Sequence, residues 1–84
     1  MERIQAGMAA ISMAGHDEGQ LYMILKAEGE YVFLADGRLR TIEKPKKKNV
    51  KHIQIMKKVL LADGDCETKN IKNEEIRRIL KSLR

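Results

Sequence analysis

Apolar residues fall in short runs through the first two-thirds of the chain and take up helical spacing only at its end. The runs Met8–Met13, Leu21–Leu25, Tyr31–Ala35 and Leu39–Ile42 are rich in strand formers, and Gly7, Gly15, Gly19, Gly29 and Asp36-Gly37 punctuate them. Short strands at such spacing predict a small antiparallel sheet or barrel. Asp36-Gly37 between two strand patterns predicts a two-residue hairpin, because both central positions of a type I′ turn need positive φ. That turn would set Leu34 opposite Leu39, Phe33 opposite Arg40 and Tyr31 opposite Ile42. Val32, Leu34 and Leu39 would then face the core, and Phe33, Arg38, Arg40 and Tyr31 would face outward. A second arrangement stays open, in which Tyr31 and Phe33 cover a smaller apolar cluster under the C-terminal segment.

Pro45 cannot donate into a central ladder, so it predicts the end of the sheet and a loop over Glu43–Lys51. His52-Ile53-Gln54-Ile55 alternates and reads as a closing strand, followed by a short helical turn over Met56–Ala62. Asp63–Lys72 is polar and reads as a linker, and the repeat of Leu34–Gly37 at Leu61–Gly64 has no similar flanks. The final segment predicts a helix. Asn73 is the expected N-cap, Glu74 and Glu75 fill the first turn, and basic residues load the rest, in accord with the helix dipole. Ile76, Ile79, Leu80 and Leu83 make one apolar stripe. The expected organisation is a barrel over residues 1–58, a turn and linker over 59–72 and a packed helix over 73–84, all in one domain.

Composition narrows the class. Eighty-four residues, 43% apolar and 35% charged, describe one small globular domain rather than a disordered tail. A single cysteine, Cys66, excludes an internal disulfide, and His16 and His52 cannot complete a four-ligand zinc site with it. Cys66 between Asp65 and Glu67 is a poor nucleophile. The apolar tract Met8–Ala14 is too short to span a bilayer and lacks the flanks of a secretory signal, so a reducing, cytoplasmic setting is expected.

Charge changes the picture most. Residues 1–37 carry two basic and six acidic side chains, whereas residues 38–58 carry nine basic and one acidic, a local net charge of +8 against +5 for the whole chain. Such a block attracts polyanions. Lys46-Lys47-Lys48 alone could equally be a solvated, solubilising loop; the nearby arginines favour binding. No nucleotide-binding glycine loop, metalloprotease helix or nucleophile elbow is present. His16 beside Asp17 has the makings of a base and its orienter, but no nucleophile is placed near it, and a surface loop accounts for both. A non-enzyme with no cofactor is expected.

Gly7-Met8-Ala9-Ala10-Ile11-Ser12-Met13-Ala14-Gly15-His16-Asp17-Glu18-Gly19 resembles the KOW motif, a strand and turn with a glycine opening the next strand. With the Tyr31–Gly37 segment and Arg38–Gln54, which contains Lys44-Pro45-Lys46-Lys47-Lys48, the chain resembles the short bacterial KOW-domain RNA-binding proteins. Those are similar to a large-subunit ribosomal protein of archaea and eukaryotes. The resemblance implies an SH3-like barrel and ribosome-linked RNA binding. The family's first loop is usually basic; here His16, Glu18 and Gln20 stand there, which moves the expected phosphate contacts to Arg38–Lys51.

The reading is a mostly β protein, a small SH3-like antiparallel barrel of KOW type followed by a C-terminal α-helix. Its expected partners are RNA, ribosomal or ribosome-associated, and the ribosome or ribosomal proteins beside it. Arg38, Arg40, Lys44, Lys46, Lys47, Lys48, Lys51 and His52 would meet phosphates, and Phe33 and Tyr31 would stack on unpaired bases. The alternative is a protein-interaction module that grips an acidic partner of the transcription or translation machinery.

Overall fold

The computed structural model describes residue 4, residues 6–59 and residues 72–83, with the backbone alone for residues 57–59. The strands are β1 (Met8–Ser12), β2 (Leu21–Glu28), β3 (Tyr31–Ala35), β4 (Lys46–Asn49) and β5 (Ile53–Val59). They form one antiparallel sheet in the order β4-β3-β2-β1-β5, and a 3-10 turn, Val50–His52, joins β4 to β5. The helix α1 (Asn73–Ser82) follows. This mostly β half-barrel with one C-terminal helix is compatible with a small SH3-like barrel.

Strand β1 and the first half of β2 are buried on both sides, which explains why they read as continuous apolar runs rather than alternating ones. On the inner face Ala10, Tyr22, Ile24, Val32 and Leu34 pack with Met8, and half-buried Val50, Ile53 and Ile55 close around them. On the outer face Ala9, Leu21, Met23 and Ala35 receive Ile76 and Leu80 of α1. Ile79 and Leu83 pack at the margin of that cluster, so the predicted helical stripe is the docking face. Halfway along β2 the register against β3 shifts between Ile24 and Lys26, and Leu25 is the extra residue of this bulge. Beyond it Lys26, Ala27 and Glu28 are exposed.

Three sequence expectations are corrected. The two-residue hairpin lies at Gly29-Glu30, where Glu28 pairs with Tyr31 and Gly29 has φ +61°. The chain does not turn back at Asp36-Gly37. Instead the Asp36 carboxylate accepts from the backbone N–H of Arg38 (2.8 Å) and of Arg40 (3.0 Å), which curls residues 36–40 into a tight loop. The partner of β3 is β4, with Leu34 opposite Lys46, Val32 opposite Lys48 and Phe33 opposite Lys47. Leu39 is therefore not core but 89% exposed, and Arg40 does not face Phe33. Val32 and Leu34 are buried as expected.

Second, the lysine block expected in a loop over Glu43–Lys51 is an edge strand; Pro45 immediately precedes it, where its missing N–H costs the ladder nothing. Third, Met56–Val59 continues β5 instead of forming a helical turn. The rest of that turn, the linker up to residue 71, the second Leu-Ala-Asp-Gly and Cys66 lie outside the described residues.

The N-cap of α1 lies one residue earlier than expected, at Lys72, so Asn73 is the first helical residue. Asn73 serves a different purpose. Its Oδ1 accepts from the Ile42 N–H at 2.9 Å and its Nδ2 donates to Glu43 at 3.0 Å, tying residues 42–43 to the helix. Gly37 completes the seat: with φ +80°, it lies so close to the Asn73 carbonyl that a Cβ would collide with it.

Candidate nucleic-acid interface

A strand sends successive side chains to opposite faces, and β4 divides the lysine block accordingly. Lys47 points to the outer face. Its ammonium sits 4.5 Å from the centroid of the Tyr31 ring, a cation–π contact. Phe33, opposite Lys47 on one side and Lys26 on the other, is half-buried, and Tyr31 is 42% exposed. Neither ring joins the described cluster beneath α1, and Phe33 and Tyr31 stand beside Lys47 rather than the expected Arg40. Lys26 pairs with Glu28 at 2.9 Å on the same face, and that hydrogen bond and charge lower the pKa of the Glu28 carboxyl.

Lys46 and Lys48 point to the inner side, and there the β1–β2 loop meets them with Asp17. Lys46 Nζ lies 3.0 Å from Asp17 Oδ2 and Lys48 Nζ lies 2.9 Å from Oδ1. The same carboxylate accepts from Ser12 Oγ at 2.9 Å and Tyr22 OH at 2.8 Å. Lys48 also donates to the Ala14 carbonyl at 2.9 Å, and only 9% of its side chain is exposed. Burial opposes the charge on Asp17, but the hydrogen bonds from Lys48, Tyr22, Lys46 and Ser12 outweigh it and hold the carboxyl well below the usual carboxylate range. Burial and the bond to Asp17 push the Tyr22 hydroxyl well above its ordinary value.

The remaining cations lie apart from Lys47. Arg38, Arg40 and Lys44 are exposed on the β3–β4 connection, and Arg40 shares a shallow cleft with His16, Asp17, Tyr22, Leu39 and Lys46. Lys51 and His52 are exposed on the 3-10 turn. That turn starts beside the aromatic pair, since its capping residue Asn49 lies opposite Tyr31. The expected site residues thus separate into an outer aromatic-cation face, a tethered inner pair and two exposed basic segments.

The chain matches no protein-family model, and no curated protein matches it. Among the described residues, no group of three or more His, Cys, Asp and Glu side chains could hold a metal ion. No helix among them is long and apolar enough to cross a membrane.

Two residues that shape the candidate surface are not marked by the sequence pattern. Asp17 was weighed only as a partner of His16, yet it turns inward while His16 stays exposed. The available signal was an acidic residue in a glycine-bounded loop together with lysines spaced two apart. Lys26 was passed over because only the bulge at Leu25 brings it opposite Phe33.

Proposed function

We propose that the protein is a non-enzymatic RNA-binding module, of the KOW type its sequence resembles, acting on ribosomal or ribosome-associated RNA. The observation that carries this reading is the outer face of β3 and β4, where Lys47 covers Tyr31 at 4.5 Å and stands opposite Phe33. Aromatic faces stack on bases of any sequence, and adjacent cations meet the backbone phosphates. The exposed cations on the 3-10 turn extend this surface, and Arg38, Arg40 and Lys44 add positive potential from the β3–β4 connection.

The purified protein should bind a single-stranded oligouridylate more tightly than a duplex DNA of equal charge. Phe33→Ala should weaken that binding by about 1–3 kcal/mol without changing its salt dependence, because stacking releases no counterions. Complexes recovered from lysate should collapse when RNA is digested. Their survival after complete digestion, with no preference for RNA over DNA, would put an acidic protein partner first.

A further inference from the structure

We propose that Asp17 is a specificity-determining residue of the RNA surface. Its carboxylate occupies the place a phosphate would take between Lys46 and Lys48, so the β1–β2 loop withholds two of the three lysines of β4 and leaves Lys47 to meet the polyanion. This inference rests on the RNA reading and divides the labour within its surface.

An oxyanion bridging two ammonium groups is already supplied by the chain itself. Asp17 gives one oxygen to each lysine, at 3.0 and 2.9 Å, and Ser12 and Tyr22 each donate to one of the same two oxygens. A bond in which both partners are ionised is among the strongest a protein makes, and this one is largely sheltered: the Asp17 side chain is 15% exposed. A phosphate that sought Lys48 would have to displace Asp17 and leave a carboxylate uncompensated against the inner core. Lys46 is the weaker point of the latch, since 24% of its side chain reaches the cleft that also holds Arg40 and His16.

Asp17 thereby cancels one of the three lysine charges and ties Lys46 and Lys48 inward, so that Lys47 alone stands on the outer face to meet a phosphate. Backbone attraction, which is blind to sequence and to strandedness, is curtailed, while the stacking contribution of Tyr31 and Phe33 is left intact. A surface so balanced discriminates for unpaired bases better than one in which every lysine is free.

The test measures the salt dependence of oligouridylate binding for the full chain and three variants. Lys47→Gln should flatten the slope of log affinity against log salt by about 0.7, the value for one phosphate on a single strand. Lys46→Gln, which keeps the Asp17–Lys48 bond, should leave slope and affinity unchanged. Asp17→Asn should tighten binding at least threefold near 0.1 M salt and steepen the slope by about 0.7–1.4, as one or two lysines are released. Retention on immobilised heparin gives a readout independent of RNA, and there too Asp17→Asn should elute at higher salt than wild type. Equal flattening by Lys46→Gln and Lys47→Gln overturns the latch, as does Asp17→Asn eluting with wild type while its circular dichroism stays native. Should Asp17→Asn fail to fold, the Lys46→Gln and Lys47→Gln pair on heparin still decides the matter. A wild-type chain that ignores oligouridylate but shows the expected heparin order would retire the RNA reading and keep the latch.

Discussion

Gly37 and Gly29 both hold positive φ, at +80° and +61°, yet their surroundings differ completely. Nothing lies within 4 Å of a Cβ added at Gly29, whereas one added at Gly37 meets the backbone of Asn73 and the side chain of Arg77. Gly29→Ala should therefore cost only the local backbone strain, about 1 kcal/mol, and Gly37→Ala about 3 kcal/mol or more. Urea midpoints of the two variants, compared at equal slope, check the ranking. Equal costs would mean that α1 does not rest on Gly37. The two leucines that the sequence places face to face should likewise separate. Leu34→Ala, at a fully buried site, should cost about 2–4 kcal/mol, and Leu39→Ala, at a site 89% exposed, less than about 0.5 kcal/mol.

At the scale of elements, α1 and β4 are held by opposite means. The helix is about three turns long and would be marginal alone; the burial of Ile76 and Leu80 against Ala9, Leu21, Met23 and Ala35 stabilises it. Leu80→Ala should lower the unfolding free energy by about 2–4 kcal/mol. Strand β4 carries three lysines at a sheet edge, where charge discourages pairing with another chain, and its inner side is fastened by Asp17. This fastening is sensitive to acid. The Asp17 carboxyl ionises well below its usual range when folded and near about 3.9 when unfolded, so the unfolded chain takes up the proton first as pH falls. Its contribution is complete above about pH 5 and drains away as the medium is acidified below about pH 4. Asp17→Asn should cost about 2–3 kcal/mol at pH 7 and show a flatter decline of stability between pH 4 and pH 2 than wild type. Parallel acid profiles for the two proteins would show that the cluster does not hold an ionised Asp17.

Across the whole molecule, what the sequence disclosed was governed by range. Strand positions from Met8 to Ala35 and the apolar stripe of α1 follow from local periodicity, and both are found nearly where the pattern sets them. The Asp36-Gly37 pair misled because a positive-φ glycine serves a hairpin and a helix seat equally well. Only α1, about forty residues away, decides between them through Asn73 and Arg77, which bonds the Gly37 carbonyl. The candidate site was half legible for the same reason. The run of lysines and the sparse aromatics are visible in the chain, but which lysine joins the rings depends on the pairing of β3 with β4. Which two are tied down depends on a loop some thirty residues earlier.

On the proposed function, RNA lies against the outer face of β3 and β4. Ultraviolet crosslinking of the full chain to a uridine-rich single strand, followed by mapping of the modified peptides, tests it most directly. Nucleotide adducts are expected on the peptide containing Tyr31 and Phe33, diminished in Lys47→Gln and undiminished in Lys46→Gln. Adducts confined to α1, or their complete absence under conditions where the protein is folded, would contradict it.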